Sequence, residues 1–163
     1  EDRLRASAVS SLVSGRSEQG RNDELAAWLR TSYARAEGRY LRNAIIAGVA
    51  RIGGTPNEQW LRGLVRNEAE ESSQRSYALG RLRSASFPIE DVVRLYDSMT
   101  ERTMRQAVIS LLGAREEPAA TDKLIEIARR GTDPQVRRSA INALSRKKDP
   151  RTTQLLLELV EKP

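Results

Sequence analysis

Five alanines, Ala8, Ala44, Ala78, Ala107 and Ala140, recur at spacings of 36, 34, 29 and 33 residues. The next residue is always aliphatic: Val9, Ile45, Leu79, Val108 and Ile141. Four residues after the alanine stands Leu12, Gly48, Leu82, Leu111 or Leu144. Seventeen after it stands a leucine without exception: Leu25, Leu61, Leu95, Leu124 and Leu157. Self-similarity at this period marks a chain built from stacked copies of one unit, each too small to bury its own apolar face. A repeat array of this kind works by presenting a surface.

Each period reads as two helices. In the last one, Val136, Ala140, Ile141 and Leu144 recur at three- and four-residue spacing, which is one helical face. Asp133 is the expected N-cap and Pro134 the first helical residue. Arg146, Lys147 and Lys148 close the helix, where its dipole favours cations. Asp149-Pro150 opens the second helix, with Leu155, Leu156, Leu157, Leu159 and Val160 on its apolar side. The preceding period repeats the plan from Met104 to Leu112, with Gly113 as a stop. In four of the five periods a proline (Pro56, Pro88, Pro118, Pro150) falls where the second helix starts. Strand-type alternation is nowhere sustained. The expected fold is therefore all-α, a single domain over 1–163 with units near 1–37, 38–71, 72–101, 102–132 and 133–163. The small alanine should let helices approach to ~8–10 Å. The leucine seventeen residues on should fill the space between them. The loosest linker is expected from Ser14 to Asp23. Residues 32–38 are expected to prolong the second helix of the first unit, and Trp28 is expected in the core.

The chain has neither cysteine nor histidine. That removes thiolate nucleophiles, disulfides, Cys/His zinc sites and imidazole acid–base chemistry. No metal or cofactor is expected, and any enzyme would rest on Asp, Glu, Lys, Tyr or Ser. The formal charge is +6, carried by 24 Arg and 4 Lys against 22 acids. A basic balance favours anionic partners, but the acids are interspersed and dilute the excess. No apolar run approaches the ~20 residues of a membrane span. The chain begins at Glu1, which reads as a processed or excised piece, with cytoplasm and periplasm both open as its compartment. A monomer is expected.

The stretch from Asp133 to Leu144, with its aspartate, its Val136-Arg137 pair, Ala140 and Leu144, resembles the first helix of a HEAT repeat. The short form found in bacterial HEAT-like and phycobilisome-lyase-like proteins is the most similar. The resemblance implies a right-handed α-α superhelix, a HEAT-like solenoid of about five helix pairs, and binding of other macromolecules. It also implies that the arginines before the anchors, Arg5, Arg42, Arg75, Arg105, Arg137 and Arg138, pair with acids of adjacent units. The first unit departs from the pattern by lacking the Asp-Pro opening, and the second by carrying Gly48 in place of leucine.

Twenty-two residues after each anchor stand Arg30, Arg66, Thr100, Arg129 and Lys162, four of them basic. If the second helices line the concave side, as the resemblance implies, these residues form a ladder along it. The competing reading is that cations simply favour helix C-termini. Together with Trp60, Arg62, Tyr96, Asp97 and Glu126, the arginines Arg30, Arg66 and Arg129 make the candidate partner strip. Trp60 leads it, because aromatic and Arg residues dominate binding hot spots. The leading function is a non-enzymatic protein- or peptide-binding scaffold. The alternative is nucleic-acid binding, as in similar DNA-glycosylase solenoids, but Asp97, Glu126 and Glu158 would repel phosphates. A lyase, as in phycobilisome-lyase-like relatives, ranks third without Cys or His. Glu68, Glu70 and Glu71 read as a solvated loop, and Gly53-Gly54 as a helix stop.

Overall fold

The structure is a computed structural model that describes residues 1–15, 19–82 and 87–161. The described residues form ten α-helices: α1 (Asp2–Ser14), α2 (Gln19–Tyr33), α3 (Arg39–Ile52), α4 (Thr55–Arg66), α5 (Ser72–Arg81), α6 (Ile89–Ser98), α7 (Arg102–Gly113), α8 (Pro118–Arg130), α9 (Pro134–Leu144) and α10 (Pro150–Glu161). Two fall in each sequence period. The protein is all-α, and among the described residues no helix is long and apolar enough to cross a membrane. Helix α2 stops at Tyr33, so residues 34–38 do not prolong it. The expected Ser14–Asp23 linker is mostly helix at its edges, and its residues 16–18 lie outside the described ones.

The chain gathers into two compact bodies, Glu1–Leu82 and Arg83–Pro163. In the first, α3 packs against α1, α2, α4 and α5. In the second, α8 packs against α6, α7 and α9, and α7 against α9. The helix starts follow local chemistry. Asp133 accepts hydrogen bonds from the amides of Gln135 (2.8 Å) and Val136 (3.4 Å), and Pro134 is the first residue of α9. Asp149 does the same for Arg151 N (2.9 Å) at the start of α10.

Side chains such as Leu29, Ile46, Val49 and Leu61 in the first body, and Val108, Leu112, Leu124 and Leu144 in the second, are buried. Full burial of each stabilises by ~1.5–3 kcal/mol. The anchors do not share one environment. Ala78 and Ala140 are buried, Ala44 and Ala107 half-buried, and Ala8 exposed. The leucine seventeen residues on is buried four times, but Leu157 is 59% exposed. Trp28 is 53% exposed, contrary to the core position expected for it. The reason is coverage. Helix α2 buries Leu25, Ala26 and Leu29, whereas Trp28 lies with the exposed Leu12 along an open groove.

Gly48 is in the leucine register because that space is taken. A Cβ there would meet Val13 Cγ2 at 3.0 Å and Leu29 Cδ1 at 3.2 Å, so its absence lets α3 seat against both α1 and α2. Gly38 has φ +88° and lies so close to the Asp2 carboxyl that a Cβ would stand 2.5 Å from it. Asp2 uses that room to accept from the amides of Tyr40 and Leu41, both at 3.0 Å, capping α3 from the neighbouring α1.

The arginines before the anchors act differently from the expectation of ion pairs. Nε of Arg42 donates to the Ala36 carbonyl (2.9 Å), Arg75 to Val65 (3.0 Å), Arg105 to Met99 (2.8 Å) and Arg137 to Ala128 (3.0 Å). Each acceptor lies at or just past the end of the preceding second helix, where carbonyls lack helical partners. The guanidinium thus caps that helix from the first helix of the next repeat. Arg42 also pairs with Glu70 (2.6 Å), an acid of its own unit rather than of an adjacent one. Arg5 pairs with Glu1, the residue just before its own helix (2.5 Å), and Arg138 is exposed.

Candidate functional site

The strip residues sit on the second helices, and in the first body two of them meet. Arg30 lies in the last turn of α2, half-buried, with Nη1 donating to Oδ1 of Asn57 on α4. The Asn57 amide in turn donates to the Gly53 carbonyl (2.6 Å), which fixes its orientation. Trp60 is half-buried and packs edge-to-face on Tyr33, ring centroids 5.3 Å apart at 83°. Both Arg30 and Trp60 line a cleft of about 470 Å³ together with Tyr33, Ala34, Arg42, Gly63 and Glu70. Arg62, half-buried, and Arg66, exposed at the end of α4, lie outside that lining.

Tyr33, Arg42 and Glu70 are the parts of this cleft missing from the expected strip. Glu70 is not a solvated acid. Its side chain is 12% exposed and holds Arg42, whose guanidinium lies 5.4 Å from the Tyr33 ring centre. Glu68 and Glu71 are exposed, as a loop reading requires. The Tyr33 hydroxyl is near both charged groups but meets neither in hydrogen-bond geometry. Burial, then the Glu70 charge, raises its pKa, so it remains protonated at neutral pH.

In the second body Tyr96, Asp97 and Glu126 gather around a residue outside the expected strip, Lys123. Its ammonium is 2.6 Å from Asp97 Oδ1, 3.0 Å from Glu126 Oε2 and 5.4 Å from the Tyr96 ring centre. Burial works against the Lys123 charge, but the two carboxylates outweigh it and its pKa is raised. It is a fixed cation, not an amine nucleophile. Tyr96 was expected on an exposed strip and is buried, because Lys123 and Arg105 (5.6 Å) cover its ring. Asp97 and Glu126 are exposed on their outer sides. Arg129, in the last turn of α8, is exposed and pairs with Glu158 of α10 at 2.7 Å. In the ladder register Thr100 follows the end of α6, and Lys162 lies outside the described residues. Arg30, Arg66 and Arg129 all sit in final helical turns, where the dipole alone favours cations.

A shift of 63 residues maps one site on the other. Tyr33, Arg42, Ala44 and Trp60 correspond to Tyr96, Arg105, Ala107 and Lys123. Ala34 and Gly63 correspond to Asp97 and Glu126. The tyrosine nine residues before the arginine is the signal in the sequence that marks both places.

The family model for HEAT repeats matches residues 89–163, from the first residue of α6 onward, a match that supports HEAT-type repeats in that part of the chain. Repeats of this family generally mediate protein interaction and are typically non-enzymatic. The match does not extend to a phycobilisome-lyase type. No curated protein matches the chain, and no solved structure does.

Proposed function

We propose that the protein is a non-enzymatic interaction module that holds a protein or peptide partner on its second helices, through Arg30, Trp60, Arg62 and Arg66 in the first body and Asp97, Glu126 and Arg129 in the second. The observation that carries this reading is the mixed sign of the charges there. Lys123 is matched by Asp97 and Glu126, Arg129 by Glu158, and Arg151 by Asp122. A phosphate backbone would meet those carboxylates beside every one of these cations. A protein surface, itself of mixed charge, matches such a pattern, which gives specificity more than raw affinity.

Photo-crosslinking tests this. A photoreactive residue at position 66 or 129 should trap discrete protein bands in cells. The same probe at Ser10 or Ser110, exposed on first helices, should trap none. Fluorescence anisotropy with labelled single- and double-stranded DNA supplies the opposing outcome. A DNA affinity that falls steeply with salt, with nucleic acid rather than protein trapped at positions 66 and 129, would replace this reading by the nucleic-acid one.

A further inference from the structure

We infer that the cleft between α2 and α4 is the partner site of the first body, and that it takes a peptide segment bearing carboxylates beside an apolar side chain. The inference rests on the protein-binding reading above and names the chemistry of the partner.

The second body shows what the cleft lacks. There, Lys123 over the Tyr96 ring is satisfied by two of the chain's own carboxylates, Asp97 and Glu126. At the corresponding places the first body has Ala34 and Gly63, both lining the cleft. A Cβ added at Gly63 would meet nothing within 4 Å. Two arginines, Arg30 and Arg42, line the same space with one acid, Glu70. Glu70 is already spent on Arg42 Nη1, and Arg30 Nη1 is spent on Asn57, a neutral partner. One positive charge is therefore unmatched within the lining. Partly desolvated arginine N–H groups are best met by carboxylate oxygens, in charge-assisted bonds about twice as strong as neutral ones.

The apolar half of the ligand follows from Trp60. It replaces Lys123 in the 63-residue correspondence and packs on Tyr33 instead of holding a charge. Its partly open indole beside the vacant Gly63 position offers an aromatic wall to an aliphatic side chain. Half-open aromatics of this kind are the usual anchors of binding sites. A carboxylate supplied by the partner would thus do for Arg30 what Asp97 and Glu126 do for Lys123.

The test uses Trp60 emission in the full chain carrying Trp28→Phe, which leaves one tryptophan. The probe is a capped octapeptide of alternating glutamate and leucine, with a lysine-for-glutamate version as control. The glutamate peptide should shift the emission saturably, and added salt should weaken it as it screens the charges. The double variant Ala34→Asp/Gly63→Glu, which installs the second body's carboxylates at exposed positions, should weaken binding at least about tenfold, with helicity by circular dichroism unchanged. Arg30→Gln should weaken it by a smaller factor. No saturable shift, an equal response to the lysine peptide, or unaltered binding by the double variant would each overturn the assignment. If the peptide fails while position 129 still traps a protein, the interaction reading stands and this site falls. If both are silent, both fall.

Discussion

Sixteen residues past Ala107 the second body carries Lys123, and two carboxylates close around it; sixteen past Ala44 the first carries Trp60, flanked by Ala34 and Gly63. The tyrosine and its capping arginine are common to both. The difference teaches how a single residue decides whether a surface is finished. A largely buried ammonium demands counter-charges, and Asp97 and Glu126 are committed to it. An indole demands none, so the neighbouring positions can be small and the space above them stays open. A second contrast in the same register is Gly48, 63 residues before Leu111, where the space is filled by Val13 and Leu29 instead of left open.

The largest expected effect tests that last contrast. Gly48→Leu forces a side chain into the space held by Val13 and Leu29, and overpacking of this sort costs ~1–3 kcal/mol or more. Native-state hydrogen exchange should show lost protection in α1–α3, with α7–α9 unchanged. Equal loss in both bodies would show that they unfold as one unit. The tryptophans come next. Trp60→Ala should lower stability by roughly 2–3 kcal/mol, through lost burial and the lost contact with Tyr33. Trp28→Ala, at an exposed site, should stay within ~0.5 kcal/mol. Thermal melts of the two variants separate them, and equal losses would mean that Trp28 packs.

Titration sharpens the comparison further. The folded-state pKa of Lys123 is raised above its ordinary 10.5. Its contribution is therefore full below pH 10.5 and is lost as pH rises through the higher folded value. Lys123→Met should flatten the alkaline limb of stability, and the first body offers no counterpart at Trp60. Glu117 has the opposite sign. Hydrogen bonding to Arg115 holds its carboxyl down to about 2 from 4.5. Its contribution is present above pH 4.5 and disappears as pH falls toward 2, so Glu117→Gln should remove that part of the acid limb in urea melts. The smallest effect is expected for Arg129→Ala. Its exposed pair with Glu158 should be worth no more than ~1 kcal/mol, and a double-mutant cycle with Glu158→Ala at high salt should bring the coupling near zero.

The helices and their pairing were legible because periodicity is a local property. Met104–Leu112 and Asp133-Pro134 could be read without knowing any neighbour. Burial was less so, because it depends on what covers a face. Ala8 and Ala140 have the same sequence surroundings and opposite exposure, and Trp28 lies along an open groove. The strip was partly legible. Arg30 and Trp60 line one cleft, whereas Tyr96, read as exposed, is buried because nothing local announced that Lys123 and Arg105 would cover it. Glu70 was read with Glu68 and Glu71 as one run, though only Glu70 reaches Arg42. The family match, confined to 89–163, follows the same line: it leaves out the body with Gly48 and without an Asp-Pro opening.

The arginine caps carry a consequence for how such a chain changes over generations. A salt bridge between repeats would need two matched side chains, and duplicating, deleting or exchanging a repeat would orphan one of them. Arg42, Arg75, Arg105 and Arg137 instead address a main-chain oxygen, which every sequence supplies in the same place. Each repeat brings its own connector and makes no demand on the identity of the one before it. Copies can then be inserted or lost while the joints still close, and the side chains between them are left to diverge, as Trp60 and Lys123 have.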